Sequence, residues 1–187
     1  MLYESYNIRK NSPTVGLFFF AEDYMIFLKH LKEFLKTDLK FIEPNNSKWK
    51  DYPELQNDKR FGNFPIGILQ NEFGTVEIFF LHYSDNKSAY DKWTKRCARV
   101  NFNKLLIKFD DQNQFDEKYL CDFSELTYKN KIFFTCNKNI YSRGKKILSS
   151  ENIFFVHQPK YYKTVTTSHL PYFDTRKVKI TNILNNL

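Results

Sequence analysis

Four apolar runs of this chain each deliver polar groups at their ends: Val76–Leu81 leads to His82 and Tyr83, and Leu105–Phe109 to Asp110 and Asp111. Lys131–Thr135 leads to Cys136 and Asn137, and Ile153–Val156 to His157 and Gln158. A histidine exchanges its proton near neutral pH and can deprotonate a hydroxyl, while a carboxylate can orient it or hold a metal. These residue types suit acid–base chemistry, with His82 as general base, Asp110 as its partner or metal contact, and His157 as a further ligand contact. A plainer origin competes with that reading, since strands end in polar residues wherever loops face water.

The stretch "LHYSDNKSAYDKWTKRCARVNF" adds cations. Lys92, Arg96 and Arg99 fall at i, i+4 and i+7 over Asn86–Val100 as one cationic stripe, while Ala89, Trp93, Cys97 and Val100 form the buried face. Arg96 and Arg99, with Asn101 beyond them, are candidates for the anionic part of a substrate. Ser84 or Asp85 caps the helix, whose first-turn amides offer a second anion site. At 1.5 Å per residue the two ends lie about 15 Å apart, too far for one phosphate to touch both. The alternative is a solvated face whose arginines complement the C-terminal dipole.

Other signals are weaker. The carboxylates of "FDDQNQFDE" are close but lack a D-x-D triplet, and "SPT" at Ser12–Thr14 reads as a hydroxyl near a ligand or as a turn. No P-loop, G-x-G-x-x-G, G-x-S-x-G or H-E-x-x-H occurs, so no cofactor is assigned. Cys97, Cys121 and Cys136 have neither metal spacing nor an even count, which predicts reduced thiols and a cytoplasmic setting.

The elements that must position these residues alternate. "TVGLFFF" predicts a buried strand over Thr14–Phe20, and Tyr24, Phe27, Leu28, Leu31, Phe34 and Leu35 predict one helix over Ala21–Leu35. A short strand at Leu39–Ile42 precedes a polar connection, 43–63, of a length that usually has a function. "FPIGILQNEFGTVEIFFLHY" predicts a hairpin about Asn71–Gly74. Strands at Leu105–Phe109, Lys131–Thr135 and Asn152–Val156 then alternate with helices at Asn86–Val100, Glu117–Leu126 and Ile140–Leu148, with a terminal helix at Thr175–Leu187. The expectation is one α/β domain spanning 1–187, with a mixed, mostly parallel sheet, helices on both faces and one antiparallel hairpin. The strands' C-terminal ends would then share one ligand-binding edge.

The 187 residues suffice for a sizeable core, and 20 Phe and 12 Tyr oppose disorder. A formal charge of +8 is spread along the chain without a basic arm, so nucleic acid is an unfavoured partner. The longest apolar run, "VGLFFF", is too short to span a membrane. Nothing in the sequence fixes the oligomeric state.

The segments "NSPTVGLFF", "DYMIFLKHLKEFL", "FPIGIL", "IFFLHYSDNKSAYDKWTKRCARVNF", "LLIKFDDQN" and "YKNKIFFT", in that order, resemble a bacterial domain family of unknown function described as exopolysaccharide biosynthesis proteins. The likeness runs from about Tyr6 to His157, and its most specific piece is His82-Tyr83 followed by Lys92, Trp93, Arg96, Arg99 and Asn101. The resemblance implies an α/β domain in capsule or surface-sugar synthesis and carries over no established catalytic residue. It also implies an additional N-terminal strand and an Asn-Cys-Trp-Gly-Gly-like segment before "SPT". This chain starts eleven residues before Ser12, so a shortened member is expected. The expected function is a sugar- or acyl-transferase acting on a nucleotide-linked or lipid-linked sugar. A non-catalytic binding or scaffold protein of the same machinery is the alternative.

Overall fold

The computed structural model describes residues 12–149 and 152–155; His157 and the expected terminal helix lie outside them. The chain divides after Val100 into two compact units.

In the first unit the expected strand Thr14–Phe20 is instead a turn. Pro13 and Gly16, at φ +74°, bend residues 13–16, and only Phe18 reaches β geometry, as an isolated bridge to Phe79. The predicted helix splits into α1 (Ala21–Lys29) and α2 (Leu31–Phe34), because His30 between them leaves helical geometry at φ −129°, ψ 42°. Strand β1 (Lys40–Ile42) is followed by the polar connection, which contains a 3-10 turn (Pro44–Asn46) and a short helix, α3 (Pro53–Gln56). In both, Pro takes an early helical position, where its missing N–H costs nothing.

The hairpin forms as expected: β2 (Ile66–Asn71) and β3 (Gly74–Phe79) pair antiparallel, with Asn71 opposite Gly74. The sheet order is β1-β2-β3, all antiparallel. Phe20, Leu55, Phe64, Ile66 and Phe79 form a core against which Trp49 and Tyr52 pack. Helix α4 (Asn86–Cys97) closes the unit and buries Ala89 and Trp93.

The second unit is a parallel sheet of order β4-β5-β6, built from Leu106–Asp110, Asn130–Thr135 and Ile153–Phe155. Helices α5 (Lys118–Glu125) and α6 (Lys138–Ile147) connect the strands, as parallel pairing requires. Phe109, Phe123 and Phe133 pack with ring centroids 5.5–6.1 Å apart. Gly144 brings α6 onto β6, since a methyl group there would strike Ile153 Cδ1.

The α/β class read from the sequence is therefore present, with the antiparallel hairpin in one three-stranded sheet and the parallel pairs in another.

Candidate functional site

Helix α4 starts at Asp85, whose carboxylate accepts from Ser88 N at 2.8 Å and from Ser84 Oγ at 3.0 Å. Of the two capping candidates, Asp85 does the work, and its carboxylate occupies the place expected for a substrate anion. These hydrogen bonds hold its pKa below the ordinary value. Three turns on, Arg96 uses Nη1 twice, donating to Val15 O at 2.9 Å and to Tyr83 Oη at 3.1 Å.

That double grip joins three separate pieces of sequence. The Ser12–Leu17 turn is closed by Leu17 N to Thr14 O and by a 2.9 Å bond between the Ser12 and Thr14 hydroxyls. A Cβ on Gly16 would lie 3.5 Å from His82 Cδ2, so the exposed imidazole rests beside the one residue of the turn that has no side chain. Ser12, Thr14, His82, Tyr83 and Arg96 thus belong to one constellation. A guanidinium carries five N–H donors, and among the described residues Arg96 Nε and Nη2 have no recorded partner. The edge left over can bind a carboxylate or phosphate bidentately.

The other candidates have local partners of their own. Arg99, two residues past α4, donates through Nε to Lys95 O in the helix's last turn. Asn101 caps the 3-10 turn Phe102–Lys104 through Asn103 N. Asp110 ends β4 and pairs with Lys108 Nζ at 2.6 Å. Strand β3 stops at Phe79, three residues before His82, and its strand partner is the antiparallel β2. His82 and Asp110 consequently follow strands of different sheets.

Two of the four strand ends do meet at the C-terminal edge of the parallel sheet. Thr135 Oγ1 donates to Asp111 Oδ2 at 2.5 Å, and Asn137 caps α6. Burial, with Asp111 and Asp110 adding to it, pushes the Cys136 thiol up to about 11; burial pushes Cys97 to about 12. Neither is a thiolate nucleophile at neutral pH. No cluster of three or more metal-ligating side chains exists among the described residues.

A second group was missed in the sequence. Asp23, on α1, is 0% exposed, accepts Trp49 Nε1 at 2.6 Å and lies 2.7 Å from Lys48 Nζ. The lysine contact is an ion pair whose direction leaves Asp23 Oδ1 without a well-aimed hydrogen bond. Beside it, buried Glu77 of β3 accepts Ser47 Oγ at 2.5 Å and Lys48 N at 2.9 Å. Burial raises the Asp23 pKa from 3.8 to about 6 against the pull of Lys48 and Trp49, and the charge of Glu77 adds to the rise. Burial pulls the Lys48 pKa down, but its bonds and charge contacts with Asp23 and Glu22 outweigh it and the net shift is upward.

The rise at Asp23 has a sign that can be tested. A carboxyl whose folded pKa exceeds its unfolded one contributes stability that is complete below pH 3.8 and is lost as pH rises through 6. Relative to Asp23→Asn, the native protein is expected to gain about 2 kcal/mol of unfolding free energy between pH 7.5 and 4.5. Urea unfolding of both proteins across that range checks it, and a pH-independent difference would contradict it.

The fold is α/β, and the Ser12–Leu17 turn brings together His82, beside Gly16, and Arg96, bonded to Val15 O. The chain belongs to the DUF1919 family, a domain of unknown function, whose family model matches residues 1–179. It is similar to an uncharacterized protein of Haemophilus influenzae (strain KW20), 29% identical over 125 residues. That match covers 67% of this chain and 51% of the relative, so the chain spans about half the relative's length.

Proposed function

We propose that the chain is a surface-polysaccharide biosynthesis protein, a sugar- or acyl-transferase taking a nucleotide-linked or lipid-linked sugar. The reading is supported chiefly by Arg96, which ties Val15 O and Tyr83 Oη with one nitrogen and leaves the rest of its fork for an anion. In sugar transfer, His82 takes the proton of an acceptor hydroxyl as that oxygen bonds to the donor's anomeric carbon. The bond from that carbon to phosphate oxygen breaks, and Arg96 offsets the charge on the departing phosphate. The proton passes from His82 to water.

A thermal-shift screen of the chain against nucleoside diphosphate sugars and a polyprenyl diphosphate sugar tests the reading. A ligand at 100 times its dissociation constant stabilises by about 2.7 kcal/mol, which moves a melting midpoint by roughly 5–10 °C. No shift with any phosphate-linked sugar would count against it and in favour of a non-catalytic scaffold.

A further inference from the structure

Two buried carboxylates from different elements hold one three-residue turn. Glu77 of β3 takes Ser47 Oγ and Lys48 N, and Trp49 N in turn donates to Ser47 Oγ at 3.1 Å. Asp23 of α1 takes the Trp49 indole and faces the Lys48 ammonium. Only the last of these contacts requires a charge on Asp23. A protonated Asp23 would present either an uncharged oxygen or an O–H donor to a group that is itself only a donor. Lys48 has another partner at hand, since its Nζ also lies 3.3 Å from Glu22 Oε1, on a side chain that is 51% exposed.

We propose that Asp23 is a proton-operated release inside the native fold: on taking up a proton it lets Lys48 swing to Glu22 and water and loosens the Ser47–Trp49 turn. The charged groups around Asp23 are Lys48 on the turn, Glu77 on β3 and Glu22 on its own helix. Trp49 and Ser47 are neutral and keep their acceptors in either state. Burial places the event near pH 6; Glu77 acts in the same direction and Lys48 opposes it. The release differs from acid unfolding. Protonation removes the cost of holding a desolvated charge, so the fold gains stability while one turn loses an anchor. The segment that responds lies within the polar connection whose length already singled it out.

The Trp49 indole N–H reports on its acceptor directly. In nitrogen-15 spectra of the whole chain, its cross-peak is expected to move between pH 7.5 and 5 with a midpoint near 6, while the Trp93 peak stays still. Trp49→Phe identifies which peak is which. Below the midpoint the Lys48 and Trp49 backbone amides exchange faster. In Asp23→Asn the Trp49 peak should hold one position at every pH, with fast exchange at the turn already at pH 7.5. A Trp49 peak that stays fixed in the native protein, or that still titrates in Asp23→Asn, would overturn the proposal. Should the variant fail to fold, the wild-type titration decides the matter alone.

Discussion

Replacing Trp93 by Ala is expected to cost about 3–5 kcal/mol of unfolding free energy, the scale of deleting a fully buried indole. The residue is 3% exposed and belongs to the helix face that buries Ala89. Its ring centroid is 6.2 Å from that of Phe27 on α1 and 6.4 Å from that of Phe80, just past β3. Losing it empties the space where α4 meets α1 and the end of the antiparallel sheet. Arg96 sits one turn further along the same helix, so the site constellation loses its footing together with the core. Urea unfolding followed by circular dichroism measures the loss. A cost under about 1 kcal/mol would mean that the cavity collapses or that α4 contributes little to the unit.

His82→Gln should behave in the opposite way. The imidazole is exposed and beside Gly16, so its loss is expected to change stability by no more than about 0.5 kcal/mol. If His82 is the base of a transfer reaction, the rate falls by roughly 10²–10⁴-fold, the usual contribution of a positioned general base. Glutamine keeps a polar group of similar reach but cannot accept the proton. Once a donor is identified, single-turnover assays of the two proteins separate the cases, and an unchanged rate removes His82 from the chemistry.

The sequence conveyed the elements better than their partnerships. The hairpin and all three parallel strands lie within a residue or two of where their periodicity puts them, and α4 starts as expected at Asn86 and ends three residues early, because those segments bury one face against their own neighbours. Thr14–Phe20 misled because a greasy run reads alike whether it pairs as a strand or only packs; Gly16 at positive φ and Pro13 decided for the turn. That the strands before His82 and Asp110 enter different sheets was not legible, because a polar residue at a strand end carries no label saying which sheet the strand enters. Trp93 was legible from the spacing of Ala89, Trp93 and Cys97. Asp23 was half legible: it precedes Phe27 by one turn and so lies on the core face, but its early place in the helix offered the dipole as a sufficient reason. Glu77 and its grip on Ser47 and Lys48 join residues about thirty positions apart, and no local pattern announces them.

Arg96 is the proposed anion-holding group of the constellation, and calorimetric titration with a nucleoside diphosphate sugar tests that role most directly. The native protein and Arg99→Gln are expected to bind alike, since Arg99 Nε bonds Lys95 O rather than the Ser12–Leu17 turn or Tyr83. Arg96→Gln is expected to bind more weakly by roughly 1.5–3 kcal/mol, the value of a charge-assisted hydrogen bond. Equal affinity in the native protein and Arg96→Gln, or no heat from any phosphate-linked sugar with the native protein, would contradict the account.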